Sequence, residues 1–293
     1  MPNIINRISK SKTWGSPQKD QLIVKISIVT FCPPAEVFNQ VLFHLERSVL
    51  YLLEQSSKWV VYLDIIDNSP NDDFFNIVQE RLKLLSESGC RYIRLIKTKN
   101  NIGFGRAHNI SLLEDPCEYN LVLNPDVYLE KDTLHKCTQC MSQHPHVGLL
   151  SPQVTGLDGE RHYLVKQNPT FLILFLRSFA PHFLKKKLKP LIDRFEMREK
   201  DYDQPIWDAP YLTGCFMFFR NTVIRQINGF DEKYFLYLED ADITRETLEV
   251  SRTLYHPDVR IIHLWERGAH KKIKLALINL WSYVIYSNKW TFR

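Results

Sequence analysis

The chain has 293 residues, 44% hydrophobic and 24% charged, with a formal net charge of +5. That balance suits a folded globular protein and excludes a disordered polypeptide or a strongly basic nucleic-acid binder. No apolar run approaches the ~20 residues of a membrane-spanning helix, and Met1-Pro-Asn-Ile-Ile-Asn-Arg7 holds no signal-peptide core, so a cytoplasmic location is expected.

Residues 1–20 are polar without periodicity and read as a flexible arm, leaving 21–293 as one domain. A buried strand is expected over 22–31. A helix follows over 35–55, with Val37, Val41, Leu45, Val49, Leu52 and Leu53 at helical spacing. A second strand over 59–66 runs into Asp67-Asn-Ser-Pro70. A helix over 72–88, a strand over 91–97, a short helix over 105–113, a strand over 119–123 and a helix over 132–143 come next. The second half is less regular. It begins with a strand over 149–154 and a mixed segment over 163–200 that contains Phe171-Leu-Ile-Leu-Phe-Leu176 and Lys185-Lys-Lys-Leu-Lys189. A strand over 211–219, helices over 222–227 and 240–250, a strand over 253–264 and a helix over 272–290 complete the chain.

Strands alternating with helices through short connections imply an α/β fold, with a mostly parallel central sheet and helices on both faces. Ligands of such sheets bind beyond the carboxyl ends of the strands. Polar clusters fall there: Thr30–Cys32, Asp67-Asn-Ser69, Asn100-Asn-Ile-Gly-Phe-Gly105 and Asn124-Pro-Asp126. The Gly103-Phe-Gly105 stretch lacks the third glycine of a dinucleotide fingerprint, since His108 stands there, and so reads as a loop, plain or packed against a nucleotide. The cysteines Cys32, Cys90, Cys117, Cys137, Cys140 and Cys215 are scattered, and Cys137-Thr-Gln-Cys140 has no second pair for zinc and reads as a helix face.

Two acidic motifs carry chemistry. Tyr234-Phe-Leu-Tyr-Leu-Glu239-Asp240-Ala-Asp242 crowds carboxylates behind an apolar run. Mutual repulsion and lost hydration should raise at least one pKa and supply a general base, and a helix N-terminus is the competing account. Asn124-Pro-Asp126 at a strand end can hold Mg²⁺ or Mn²⁺, which takes one or two carboxylates and completes its shell with phosphate oxygens and water. The same tripeptide is also turn chemistry. His263, ending Arg260-Ile-Ile-His263, is either a structural residue or the best nitrogen ligand for that metal.

Asp67-Asn-Ser69, Asn101-Ile-Gly-Phe-Gly-Arg-Ala-His-Asn109, Leu123-Asn-Pro-Asp126, Gly214-Cys-Phe-Met-Phe-Phe-Arg220, Gly229-Phe-Asp-Glu232 and Tyr234 to Arg245 appear in that order. This set resembles the family 2 inverting glycosyltransferases of GT-A fold, and within them the bacterial rhamnosyltransferase-like enzymes of O-antigen and cell-wall polysaccharide synthesis. The resemblance implies a nucleotide-binding half over 21–130 and an acceptor-binding half over 131–293. It implies that Thr30 and Asp67 contact the nucleoside, that Asn101, Gly103 and Asn109 line the nucleotide pocket, and that Asp126 binds the metal with Asn124 beside it and His263 as a further ligand. Asp240 matches the catalytic base and Glu239 its neighbour, while Asp242 and Arg245 support the loop. The implied donor is a dTDP- or UDP-sugar, foremost dTDP-L-rhamnose, with galactose, galactofuranose and N-acetylglucosamine donors as alternatives. The implied acceptor is a glycan on polyprenyl diphosphate.

The sequence departs from the family pattern at Asn228, which stands where a second glycine is common, at His108-Asn109, and after His263, where Leu-Trp-Glu-Arg-Gly-Ala-His270 replaces a small Gly/Ser stretch. The segment 171–189 reads either as an interfacial element, apolar into lipid with lysines toward anionic headgroups on the inner face of the plasma membrane, or as a core helix with a basic end. The rival functional readings are a non-catalytic sugar-nucleotide-binding or scaffold subunit of a polysaccharide assembly complex, and a nucleotidyltransferase. The latter wants a Gly-rich triphosphate loop that Phe31-Cys-Pro-Pro34 does not supply.

Overall fold

The computed structural model describes residues 6–8, 20–71, 73, 74, 78, 82, 85, 89–114, 116–264 and 273–291. Strands β2 (Leu22–Thr30), β3 (Trp59–Asp67), β4 (Cys90–Lys97) and β5 (Tyr119–Leu123) lie side by side in the order β4-β3-β2-β5, all parallel. Their near-continuous apolar runs suit strands buried on both faces. Beyond β5 the sheet continues through β12 (Phe216–Arg220), β7 (Val147–Thr155) and β13 (Arg252–His263). β12 runs antiparallel to both β5 and β7, while β13 is parallel to β7. Among these long strands only β12 opposes the common direction, and the carboxyl ends of the others gather along one edge.

Helices cover both faces. On one, α1 (Ala35–Gln55) and α3 (Thr133–Gln143) bury Leu42, Leu45, Cys137, Cys140 and Met141 with Phe216 and Phe218 of β12. On the other, α2 (Phe104–Leu112), α7 (Asn221–Gln226) and α8 (Glu239–Val250) bury Leu112, Ile224 and Ile243 with Met217 and Phe219. The alternation of Phe216 to Phe219 between the two cores is the period-2 consequence of a strand covered on both sides. A third core lies beneath α4 (Phe171–Phe179), α6 (Lys189–Phe195) and the C-terminal α9 (Ile273–Thr291), and joins Ile173, Phe195, Tyr234, Leu238, Tyr286 and Trp290.

Several expectations are refined. The strand expected over 211–219 breaks into β11 (Tyr211–Leu212) and β12, with Thr213 to Cys215 as a turn between them. Gly214 permits a sharp turn, and its N–H leaves the ladder for the Asp240 carboxylate. Short strands escape a periodicity reading: β6 (Val127–Leu129), β8 (Arg161–His162), β9 (Val165–Lys166) and β10 (Ile206–Trp207) are too brief to show alternation. Within the expected arm, β1 (Asn6–Ile8) pairs antiparallel with β4, and most of the remaining arm lies outside the described residues. The helix expected over 72–88 falls largely outside them too, and Phe74, Val78, Leu82 and Leu85 are helical and buried. Between α4 and α6 stands the short α5 (His182–Lys187).

Candidate active site

A cleft of about 1120 Å³ opens at the carboxyl ends of β2 and β5. Its lining includes Thr30 to Pro34, Asn68, Asn101 and Gly103 on one side, Asn124, Pro125, Asp126 and His263 on another, and Gly156 to Asp158, Phe104, Phe235 and Leu236.

On the first side, Asp67 is fully buried behind the wall. Its carboxylate accepts from Thr30 Oγ1 at 3.1 Å, from the Ser69 N–H at 3.0 Å and from Lys97 Nζ at 2.7 Å. Asn68, its neighbour, reaches the cleft, donates to the Gly103 carbonyl at 3.1 Å and accepts from Thr98 Oγ1 at 2.8 Å. Asn101 Oδ1 caps the Gly103 N–H at 2.9 Å. Gly103 has φ 92°, and a Cβ there would lie 2.4 Å from the Phe235 carbonyl oxygen, which accepts from the Phe104 N–H at 3.0 Å. Glycine is required both by the dihedral and by that close approach. Asn109 sits off the cleft. Its side chain donates to the Phe230 carbonyl at 2.8 Å and accepts from the Phe230 N–H at 2.9 Å, bracing the Gly229-Phe230 turn. Burial pushes His108 down to about 3, so it is a neutral core partner of Ser27.

On the second side, the antiparallel pairing of β6 with β13 sets His263 opposite Val127, and the Leu264 N–H donates to the Asp126 carbonyl at 3.0 Å. His263 Nε2 thereby faces Asp126 Oδ1 at 3.3 Å. Burial opposes protonation of the His263 ring, while the adjacent Cys215 sulfur and Asp126 carboxylate favour it and raise its pKa to about 10. A divalent cation would reverse that balance by competing with the ring proton. Among the described residues, Asn124 Oδ1 is buried without a hydrogen-bond partner, and Asp126 Oδ1 and His263 Nδ1 are buried with none beyond the Asp126–His263 pair and the Cys215 sulfur. Among the described residues no three His, Cys, Asp or Glu side chains converge on one point. A carboxylate and an imidazole with unused oxygen donors nearby fit Mg²⁺ or Mn²⁺, whose shell phosphate oxygens and water complete.

The third feature is the N-terminus of α8. Tyr237 and Leu238 have φ 71° and 64°, successive left-handed residues that cost strain and turn the chain sharply into Glu239 and Asp240. The half-buried Asp240 carboxylate accepts from Tyr211 Oη at 3.1 Å, from the Gly214 N–H at 2.9 Å and from the Ala241 N–H at 2.9 Å. Burial pushes its pKa up, and Lys166, the two backbone N–H groups and the Tyr211 hydroxyl pull it back without cancelling the rise. Glu239 is buried, its Oε2 has no hydrogen-bond partner among the described residues, and burial followed by the Asp240 charge pushes it up to about 8. Glu239 therefore keeps its proton at neutral pH, which spares the neighbouring Asp240 a like charge. The competing accounts of this motif hold together, because the carboxylates open a helix and also have raised pKa values.

The turn at Thr213 to Cys215 couples the two acidic motifs. The Gly214 N–H binds Asp240, while the Cys215 carbonyl accepts from the Asn124 N–H at 2.9 Å. Phe104, on the cleft wall, lies close to Gly214 on the side that Asp240 also faces, and Asp240 itself is not among the residues that line the cleft. Sequence reading assigned no role to Tyr211, Gly214, Lys166 or Asn68. The available signal was Gly214, an isolated glycine inside a strand pattern, which marks a close backbone approach.

No family model matches the chain. In sequence it is similar to the N-acetylglucosaminyl-diphospho-decaprenol L-rhamnosyltransferase of Mycobacterium tuberculosis, 25% identical over 183 residues that cover 58% of this chain and 58% of that protein. It is also similar to the rhamnosyltransferase WbbL of Escherichia coli, 28% identical over 175 residues that cover 55% of this chain and 60% of that protein. These matches span less than two thirds of the length of either relative. Among solved structures it is similar to the mannosyltransferase PcManGT from Pyrobaculum calidifontis in complex with GDP-Man and Mn²⁺, with a TM-score of 0.59, 15% identity and coverage of 92% of this chain and 65% of that one. S. aureus TarS 1-349 gives a TM-score of 0.53 at 15% identity, covering 83% of this chain and 60% of that one. The chain has the GT-A glycosyltransferase fold, and its sequence is similar to rhamnosyltransferases.

Proposed function

We propose that this chain is an inverting glycosyltransferase that moves a sugar from a nucleoside diphosphate onto a hydroxyl of a surface-glycan acceptor. The observation that carries the reading is the Gly214–Cys215 turn, which holds Asp240 on one side and Asn124 of the Asn124-Pro-Asp126 motif on the other. One turn thus ties the proposed base, which stands next to the cleft-lining Phe104, to the proposed diphosphate-binding end of the cleft. Asp240 accepts the proton of the attacking hydroxyl, and Tyr211 and the Gly214 and Ala241 N–H groups aim its oxygens. A single displacement inverts the anomeric carbon, so one base suffices. The nucleoside lies against Thr30, Asn68, Asn101 and Gly103, with Asp67 setting that wall from behind. Asp126 and His263 would hold Mg²⁺ or Mn²⁺, with Asn124 beside them, and the cation would stabilise the negative charge that collects on the departing diphosphate.

The donor proposed is dTDP-L-rhamnose and the acceptor a sugar on polyprenyl diphosphate. Support comes from the two curated relatives, both rhamnosyltransferases, one of which carries N-acetylglucosaminyl-diphospho-decaprenol in its name. A lipid-linked acceptor would bring the protein to the inner face of the plasma membrane, where the segment 171–189 is proposed to touch it. The test is nucleotide release from a panel of dTDP-, UDP- and GDP-sugars with Mn²⁺ or Mg²⁺, then with chelator, in the presence of a lipid-linked glycan extract. Metal-dependent release from one donor, lost in Asp240→Asn, is expected. Nucleotide binding without release from any donor would instead identify a non-catalytic subunit.

A further inference from the structure

The C-terminal helix α9 presents an apolar stripe to solvent. Leu277 is 61% and Trp281 65% exposed, and Leu280 and Val284 are exposed beside them. The spacing i, i+3, i+4, i+7 is that of one helix face. The opposite face, with Ser282, Tyr286 and Trp290, is the buried one. A helix that buries one face normally offers polar residues on the other, so an outward apolar stripe marks a surface meant to be covered. It continues on α4, where Phe171, Leu172 and Phe175 are exposed and the Phe171 ring lies 5.9 Å from that of Tyr283. Phe183 on α5 is 73% exposed, and Lys186 and Lys187 follow it into solvent.

We infer that the outer faces of α9, α4 and α5 form one docking surface for an anionic lipid bilayer, with Leu277 and Trp281 as its centre. Apolar side chains with a tryptophan, rimmed by lysines, match the acyl boundary and the anionic headgroups respectively. Among the described residues no helix is long and apolar enough to cross a membrane, so this surface lies on the bilayer. A second copy of the chain fits less well, because a symmetric pair would bring the same lysine-edged face against itself. The surface also abuts the cleft: Ser282 Oγ, on the inner side of α9, donates to the Leu236 carbonyl at 2.8 Å, and Phe235 and Leu236 line the cleft. Docking would therefore place the cleft mouth at headgroup level, where a diphosphate-linked acceptor resides. This last consequence rests on the proposed transferase function, whereas the binding itself does not.

The test is sedimentation of the full chain with vesicles of phosphatidylcholine and phosphatidylglycerol, and with phosphatidylcholine alone, without donor or acceptor. Binding to the anionic vesicles that weakens with salt is expected, along with a loss of about tenfold or more in the double variant Leu277→Asp, Trp281→Asp and in Lys186→Glu, Lys187→Glu. Phe183→Asp is the second probe should the α9 variant fail to fold, as judged by circular dichroism. Absence of binding by the native chain, or binding that the α9 and Phe183 variants leave intact, would overturn the proposal. So would a concentration-dependent dimer, without vesicle binding, that the α9 variant dissociates. Because no sugar nucleotide enters the assay, failure of the transferase reading leaves the result interpretable.

Discussion

His263 Nε2 stands 3.3 Å from Asp126 Oδ1, although His263 ends β13 and Asp126 lies in the turn before β6, far apart in sequence. The β6–β13 ladder brings them together, and the orphaned Asn124 Oδ1 lies in the same short motif. Such a pair either shares a proton or shares a cation. Mn²⁺ titration followed by electron paramagnetic resonance separates the cases. Asp126→Ala is expected to weaken Mn²⁺ binding at least tenfold, and His263→Gln by a smaller factor. Equal affinity in the native chain and both variants would reduce the pair to a structural contact.

Asp240→Asn keeps the hydrogen bonds from Tyr211 and Gly214 within reach but removes the base. A fall of about 10²- to 10⁴-fold in kcat is expected, with little change in KM for the donor. Tyr211→Phe tests the positioning. The Tyr211 hydroxyl stabilises the ionised form of Asp240, so its loss raises the Asp240 pKa further. The acidic limb of the pH–rate profile should then move to higher pH. An unmoved limb with lowered kcat would assign Tyr211 a packing role only.

The nucleotide half was legible in the sequence because long apolar strands and a 21-residue amphipathic helix carry unambiguous periods. Asp240 and Asp126 stood out as candidates because each carboxylate follows an apolar run, and of the two the structure sets Asp126 on the cleft. Asn109 and Asp67 show the limit. Asp67 ends β3 and Asn109 lies within α2, yet Asn109 braces the Phe230 turn and Asp67 stands behind the cleft wall, held by Thr30, Ser69 and Lys97. Which way a polar side chain faces at such a spot depends on tertiary partners. Tyr211 and Lys166 were invisible for a similar reason: they sit on two-residue strands, β11 and β9, that pair with each other in a separate small sheet.

Glu239 gives the fold a pH dependence of definite sign. Its pKa rises from 4.5 in the ordinary carboxyl to about 8 in the folded chain, first through burial and then through Asp240. The native state thus binds the proton more tightly than the unfolded state does. Stability from this group is complete below pH 4.5 and is lost as pH rises towards about 8. Urea unfolding at pH 5 and pH 8 should show the native chain weaker at pH 8, with Glu239→Gln narrowing the difference. A variant with the same pH slope as the native chain would place the dependence elsewhere.

Gly103→Ala is expected to cost about 2 kcal/mol or more, since φ 92° disfavours an L side chain and the new Cβ would press on the Phe235 carbonyl. The Phe104 N–H bond to that carbonyl would break, and the Phe235–Leu236 wall would shift with it. Nucleotide affinity measured by calorimetry should fall alongside stability. Gly159→Ala is the control: its φ is also positive, at 77°, but no atom lies within 4 Å of the added Cβ, so strain is felt there without a collision.

Asp242 ties the C-terminal helix to the helix that carries Asp240. Its Oδ1 accepts from Trp290 Nε1 at 2.8 Å and from Tyr234 Oη at 3.3 Å, and its Oδ2 accepts from Lys289 Nζ at 2.7 Å. Arg245 reinforces the junction from one turn further along α8, over the Trp290 ring at 4.2 Å. Asp242→Ala would leave the indole N–H and the phenol without their acceptor and Lys289 with only Asp231 and Glu246. A loss of about 2–4 kcal/mol is expected from denaturant unfolding. Asp242→Asn should lose less, because its amide oxygen still accepts from Trp290 while the charge opposite Lys289 is gone. The two variants also separate anchoring from chemistry. If α9 merely stabilises α8, folded Asp242→Asn retains the native acidic limb of the pH–rate profile. If the junction sets the position of Asp240, that limb moves even where the protein is fully folded.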